Sequence, residues 1–278
     1  MGLETEYVDD TKAGQGQKNK VKEEALYLYC VADGGEQASL GAIGISGHEV
    51  YTIPYNDICA VVHHCPAQPY QSDNQEVMKT WVIEHQGAVD MAWKKWGTVL
   101  PSSFDTMIKG ESRDGAEQNM KDWLKREHEN LRNKLDKVRD RAEYGVQIFW
   151  DPNVIAQNLM ETNPEIRELN KEIKLKPKGL AYMYRQKLEN LIKREMETSA
   201  DTCFRVFYSR VKKHTGDIRV EKTKKAEQNL QMVLNLSCLV HKDKYAGLGE
   251  ELSQINQMKG FSVRFTGPWP PYSFVGGS

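Results

Sequence analysis

The side chains best suited to chemistry stand at residues 63 to 65, which read His-His-Cys at the end of an expected strand. Successive strand residues face opposite ways, so His63 and Cys65 share a face and His64 does not. A thiol becomes a catalytic nucleophile only with a base held within hydrogen-bond reach, which strand spacing alone does not supply. A zinc site needs three or four converging ligands, and no spaced partner pair stands near these residues. The expectation is no catalytic site, no metal and no cofactor here. A Cys/His-dependent or cofactor-binding enzyme is the alternative these residues keep open.

Two other stretches invite a chemical reading. Gly41, Gly44 and Gly47 are spaced like a phosphate cradle, but no helix opening on Lys-Ser or Lys-Thr follows them, so a strand-to-strand connection is expected. Between Arg205 and Lys225 the chain is strongly basic, with Arg210, Lys212, Lys213, Lys222, Lys224 and Lys225 as a candidate patch. Such a patch could dock an acidic partner or nucleic acid. Basic residues also suit a helix C-terminus and solvate a loop. Aromatics near the charges are sparse, Tyr208 among them, too little for base stacking, so nucleic acid is not expected as a partner.

The elements that must hold these residues follow from composition and pattern. The chain has 278 residues, 39% hydrophobic and 28% charged, with net charge −1, which describes a globular protein with long solvated helices. No apolar run approaches the roughly 20 residues a membrane span needs, and no signal-like apolar core opens the chain, so a cytoplasmic location is expected. The five cysteines are odd in number and form no C-x-x-C pair, which suits small buried hydrophobes rather than a disulfide framework.

Residues 1–24 lack periodicity and read as a flexible leader. An N-terminal α+β domain is expected over 25–110, with strands at Ala25 to Ala32, Glu49 to Pro54 and Ile58 to His64. Its helix opens at Asp73 in an apparent capping box with Glu76 and is stopped by Gly97. Trp96, at that helix end, is a candidate for exposure and partner contact. A second α+β domain is expected over 111–278. Its first long helix carries Met120, Leu124, Leu131, Leu135 and Val138 at near-heptad spacing. A second long helix runs from about Leu180 to Lys213, and the two are expected to pair as an arm. Strands at Tyr144 to Trp150, Asn229 to Val240 and Phe261 onward, with a helix before the last, suggest a ferredoxin-like unit with an expanded helical crossover.

The chain closes on Phe261 to Val275. Phe261, Val263 and Phe265 alternate as in a half-buried strand, and Gly267 and Pro268 are expected to end it. Pro268, Pro270 and Pro271 stiffen the path that follows. Trp269, Tyr272 and Phe274 give it apolar surface to bury, and a clasp holding the second domain shut is expected.

The run Gly267-Pro268-Trp269-Pro270-Pro271-Tyr272-Ser273-Phe274 resembles the terminal signature of the gas vesicle protein family GvpL/GvpF. Leu26 to Val31 resembles that family's opening strand. His85, followed by Val99-Leu100-Pro101 and Phe104, resembles its helix and Val-Leu-Pro motif, and Lys178 to Tyr182 resembles the start of its long helix. The resemblance covers about residues 25 to 275. It departs at Ser103 and Asp105, where the family's run carries a basic residue and a glycine. The resemblance implies a minor, non-enzymatic structural and assembly accessory protein of gas vesicles. Its implied partners are the small hydrophobic shell subunit, which is the major shell protein, or other gas vesicle accessory proteins.

Overall fold

The computed structural model describes residues 23–224 and 229–275; the expected leader lies almost wholly outside them, and Lys225 lies outside as well. The fold is α+β, built on two antiparallel sheets. The first contains β1 (Glu24–Ala32), β2 (Ser39–Gly41), β3 (Val50–Tyr55), β4 (Ile58–Pro66), β5 (Val99–Pro101) and β6 (Met107–Gly110). Its order is β2-β3-β4-β1-β5, with β6 also paired to β1. From Ala25 to Ala32 every residue of β1 is buried, as an apolar strand covered on both faces must be.

Each face has its own helix. On one side α1 (Gln75–Trp96) packs Ala88, Val89 and Ala92 onto Tyr27, Tyr29, Cys30 and Ala32. On the other, α2 (Arg113–Val138) packs Met120, Leu124, Leu131, Leu135 and Val138 onto Leu26, Leu28 and Val31. Full burial of one such side chain stabilises by about 1.5–3 kcal/mol, so this stripe is a principal term. The β1–β4 register shifts between Leu28 and Cys30, which leaves Tyr29 and Cys30 both on the α1 side. The cap of α1 is Asn74 rather than Asp73: its side-chain oxygen accepts from the Glu76 amide at 2.9 Å. Gly97 closes the helix at φ 72°, as a left-handed cap.

Placing α2 with the second unit, paired to the other long helix, requires correction. A heptad-like stripe shows that one helix face is buried and leaves open what covers it; here the cover is the first sheet. The second sheet contains β7 (Arg141–Trp150), β8 (Asp217–Val220), β9 (Gln231–His241) and β10 (Phe261–Trp269), in the order β10-β7-β9-β8. Helices α3 (Pro152–Thr162), α4 (Pro164–Leu175) and α5 (Lys178–Lys212) connect β7 to β8, and α6 (Tyr245–Asn256) connects β9 to β10. Asn163 caps α4 as its Asn-Pro pair implies, accepting from the Glu165 and Ile166 amides. Asp151-Pro152 is an equivalent signal at the start of α3, which the periodicity alone does not reveal. β8 lies within the basic stretch, where the alternation of a four-residue, charge-rich edge strand is too short to stand out.

β10 does not stop at Gly267. Pairing to β7 resumes at Trp269, opposite Glu143, after an irregularity that contains a cis Gly267–Pro268 bond. An edge strand tolerates the missing proline donor, and glycine supplies the φ of 120° that the irregularity needs. A single helical turn, α7 (Tyr272–Val275), ends the described chain.

Candidate functional site

The His-His-Cys segment lies on β4 beside a buried ring cluster between the first sheet and α1. His63 stands opposite Tyr27 in the β1–β4 ladder, and their rings stack with centroids 5.0 Å apart. The Ile45 amide donates to Tyr29 Oη at 2.9 Å, so the Tyr29 hydroxyl proton is free to go to His63 Nδ1 at 2.8 Å. His63 Nε2 then carries the ring proton and meets Tyr70 Oη at 2.9 Å. A parallel relay runs from the Asp105 amide to Tyr27 Oη at 3.0 Å and on to His85 Nδ1 at 2.9 Å. Both relays tie α1 and its flanking loops to β1. Gly44 permits one of them, because a Cβ there would lie 2.7 Å from Tyr29 Oη.

Burial is the first cause of every shift in this cluster. It pushes His63 down to about 3 and His85 down to about 4, so both rings are neutral near pH 7. It pushes the Cys65 thiol up to about 11. Cys65 Sγ meets Met107 Sδ at 4.0 Å, while His63 is committed to two tyrosines. His64 pairs instead with Glu24 at 3.1 Å. Strand alternation places His63 and Cys65 on one face, yet the structure gives the thiol neither an activating base nor access to solvent. Among the described residues no group of three His, Cys, Asp or Glu side chains is arranged to hold a metal ion.

Asp105 stands at φ 68°, a left-handed conformation that aspartate tolerates better than most residues. Its Oδ1 accepts from the Tyr70 amide at 3.0 Å. Tyr27, Tyr29, Tyr70, His85 and Asp105 were not expected as one cluster; the alternating tyrosines of β1 opposite His63 were the available signal.

The terminal clasp spans the two sheets rather than closing the second. Tyr272 packs on the α1-side core of the first sheet, and Phe274 sits in the core shared with α2. Ser273 donates from its amide (2.7 Å) and its hydroxyl (2.5 Å) to the Glu143 carboxylate on β7. Lys134 of α2 donates to the Val275 carbonyl at 3.3 Å. Pro270 and Pro271 are buried, Pro268 is exposed, and Trp269 remains 51% exposed at the end of β10.

The remaining candidates separate. Arg210 is drawn to α6, pairing with Glu251 and reaching Gln254 at 3.1 Å. Lys212 lies 5.9 Å from the Tyr208 ring centroid; Lys213, Lys222 and Lys224 are exposed. Trp96 is half-buried rather than free, because Gly34 leaves room for its indole, and Lys95 lies 5.1 Å from its ring centroid. A surface the sequence did not single out is the turn between α4 and α5, where Leu175 is 84% exposed and Leu180, Tyr182 and Met183 are also exposed. No described helix is long and apolar enough to cross a membrane.

Comparison with known proteins gives the chain its relatives. The family model for gas vesicle synthesis protein GvpL/GvpF matches residues 25–276. Gas vesicle protein L1 of Halobacterium salinarum is 29% identical over 261 residues, covering 90% of this chain and 89% of its own length. Gas vesicle protein L of Haloferax mediterranei is 27% identical over 250 residues, covering 86% of this chain and 75% of its own. The crystal structure of gas vesicle protein GvpF from Anabaena sp. PCC7120 shares the fold, with a TM-score of 0.71 at 18% identity, over 92% of this chain and 99% of that one. The chain belongs to the gas vesicle GvpL/GvpF family.

Proposed function

We propose that the chain is a minor structural and assembly accessory protein of gas vesicles, acting in the cytoplasm in association with the vesicle. It works through contacts rather than chemistry, binding the major shell subunit or other gas vesicle accessory proteins while the vesicle forms. The observation that carries this reading is the family match over nearly the whole described chain. The site chemistry supports it: His63 and Cys65 are buried, with the thiol protonated and His63 bound to tyrosines.

A shell subunit that polymerises through apolar surface needs partners that cover that surface during growth. The exposed apolar side chains at the α4–α5 turn and Trp269 supply matching contact area. The test is capture of gas vesicle proteins by the tagged chain in vesicle-forming cells. Recovery of the shell subunit or another gas vesicle protein supports the reading, and recovery of none contradicts it.

A further inference from the structure

α5 is longer than the elements that cover it. On one side α4 packs Ile166 and Leu169 against Leu188 and Leu191. On the opposite side the C-terminal half of α5 lies on the second sheet through Met196, Ala200, Phe207 and Val211. At 3.6 residues per turn the same stripe runs back through Lys193, Glu189 and Tyr182, all of them exposed. Where the helix leaves the sheet there is a cavity of ≈ 580 Å³, with Trp150, Met196 and Ala200 among its apolar walls and Glu189, Glu197 and Asp201 among its charged ones.

We propose that this stripe is a self-association surface on which the α5 arms of two copies of the chain pair antiparallel about a two-fold axis. The order of charge identifies both the occupant and the register. Arg185, Glu189, Lys193 and Glu197 alternate in sign at four-residue steps along the exposed stripe. Among the described residues, none of the four is held in an ion pair within its own chain. When Glu189 faces the partner's Lys193, Arg185 falls opposite the partner's Glu197, and symmetry doubles both pairs. The same register sets Tyr182 opposite the partner's Ala200, at the mouth of the cavity. A slip of one turn in either direction sets Glu189 against a glutamate, so the pattern discriminates against its neighbours. A sequence that is its own antiparallel complement is what an isologous contact requires.

The overlap from Tyr182 to Ala200 is about 28 Å long at 1.5 Å per residue, a small interface of the transient class. Association is therefore expected in the micromolar range or weaker, and salt should weaken it further. The experiment is sedimentation equilibrium of the full chain from micromolar to sub-millimolar concentration, at low salt. The wild type should form a dimer, and Lys193→Glu should weaken it by about tenfold or more by setting like charges opposite. The double variant Glu189→Lys/Lys193→Glu exchanges the signs and should restore it. A wild type monomeric throughout overturns the proposal. So does a dimer unaffected by Lys193→Glu, or a double variant no better than the single one.

Discussion

Asp105 holds a left-handed backbone conformation that a glycine would adopt without strain, and it adds a side-chain acceptor that glycine lacks. Its φ of 68° and its bond to the Tyr70 amide together set the loop that feeds the Tyr27–His85 relay. Asp105→Val should destabilise by about 1–2 kcal/mol through left-handed strain, while Asp105→Asn, which tolerates that region and keeps an acceptor, should cost less. Equilibrium denaturation of both variants checks the ranking, and equal losses would assign the effect to the carboxylate charge. The histidines make a separate prediction. Burial lowers His63 to about 3 and His85 to about 4, whereas both titrate near 6.5 when unfolded. As pH falls from about 6.5 toward 4 the unfolded chain takes up protons that the folded chain refuses, so stability falls over that window. Above it the two rings contribute no slope. Urea unfolding at about pH 7.5 and 4.5 should show the loss, and His63→Asn should make it shallower. The shared face of His63 and Cys65 was legible from strand alternation. The relay was not, because Tyr29 and His63 lie 34 positions apart and Tyr27 and His85 lie 58 apart.

At the scale of elements, the clasp and α2 show how far pattern reaches. The strand Phe261 to Phe265 was readable from its period, and Phe261, Val263 and Phe265 do pack on the second-sheet core. The destination of the following aromatics was not readable, because proline stiffness fixes a path and not its neighbour. Phe274 is 7% exposed in a core shared with α2, whereas Trp269 is half free. Phe274→Ala should therefore cost about 3 kcal/mol, the range for a buried aromatic truncated to alanine. Trp269→Ala should cost under about 1 kcal/mol, as an exposed site does. The sequence offered Trp269, Tyr272 and Phe274 alike as surface to bury, whereas the structure buries Phe274 and leaves Trp269 half exposed. Thermal denaturation of the two variants decides it, and a larger loss at Trp269 would refute the clasp geometry. α2 gives the same lesson: its apolar stripe was plain in the sequence, but its docking on the first sheet depends on contacts far away along the chain.

For the whole molecule, two sheets are joined by α2, which covers the first and leads directly into β7, and by the terminal clasp, which returns from β10 to the first sheet. The α+β class and the order of the main elements were legible, since strand and helix periods differ. The assignment of α2 was not, since an apolar stripe does not say which of two sheets covers it. Such a frame leaves Leu175, Leu180, Tyr182 and Met183 exposed at the α4–α5 turn, which fits the contact role proposed for the chain. The most direct measurement captures partners in vesicle-forming cells with the tagged wild type and with Cys65→Ala in parallel. Equal recovery of gas vesicle proteins by both is the predicted result. Recovery of none by the wild type, or loss of recovery in a Cys65→Ala variant of unchanged melting temperature, would contradict a role exercised through contacts.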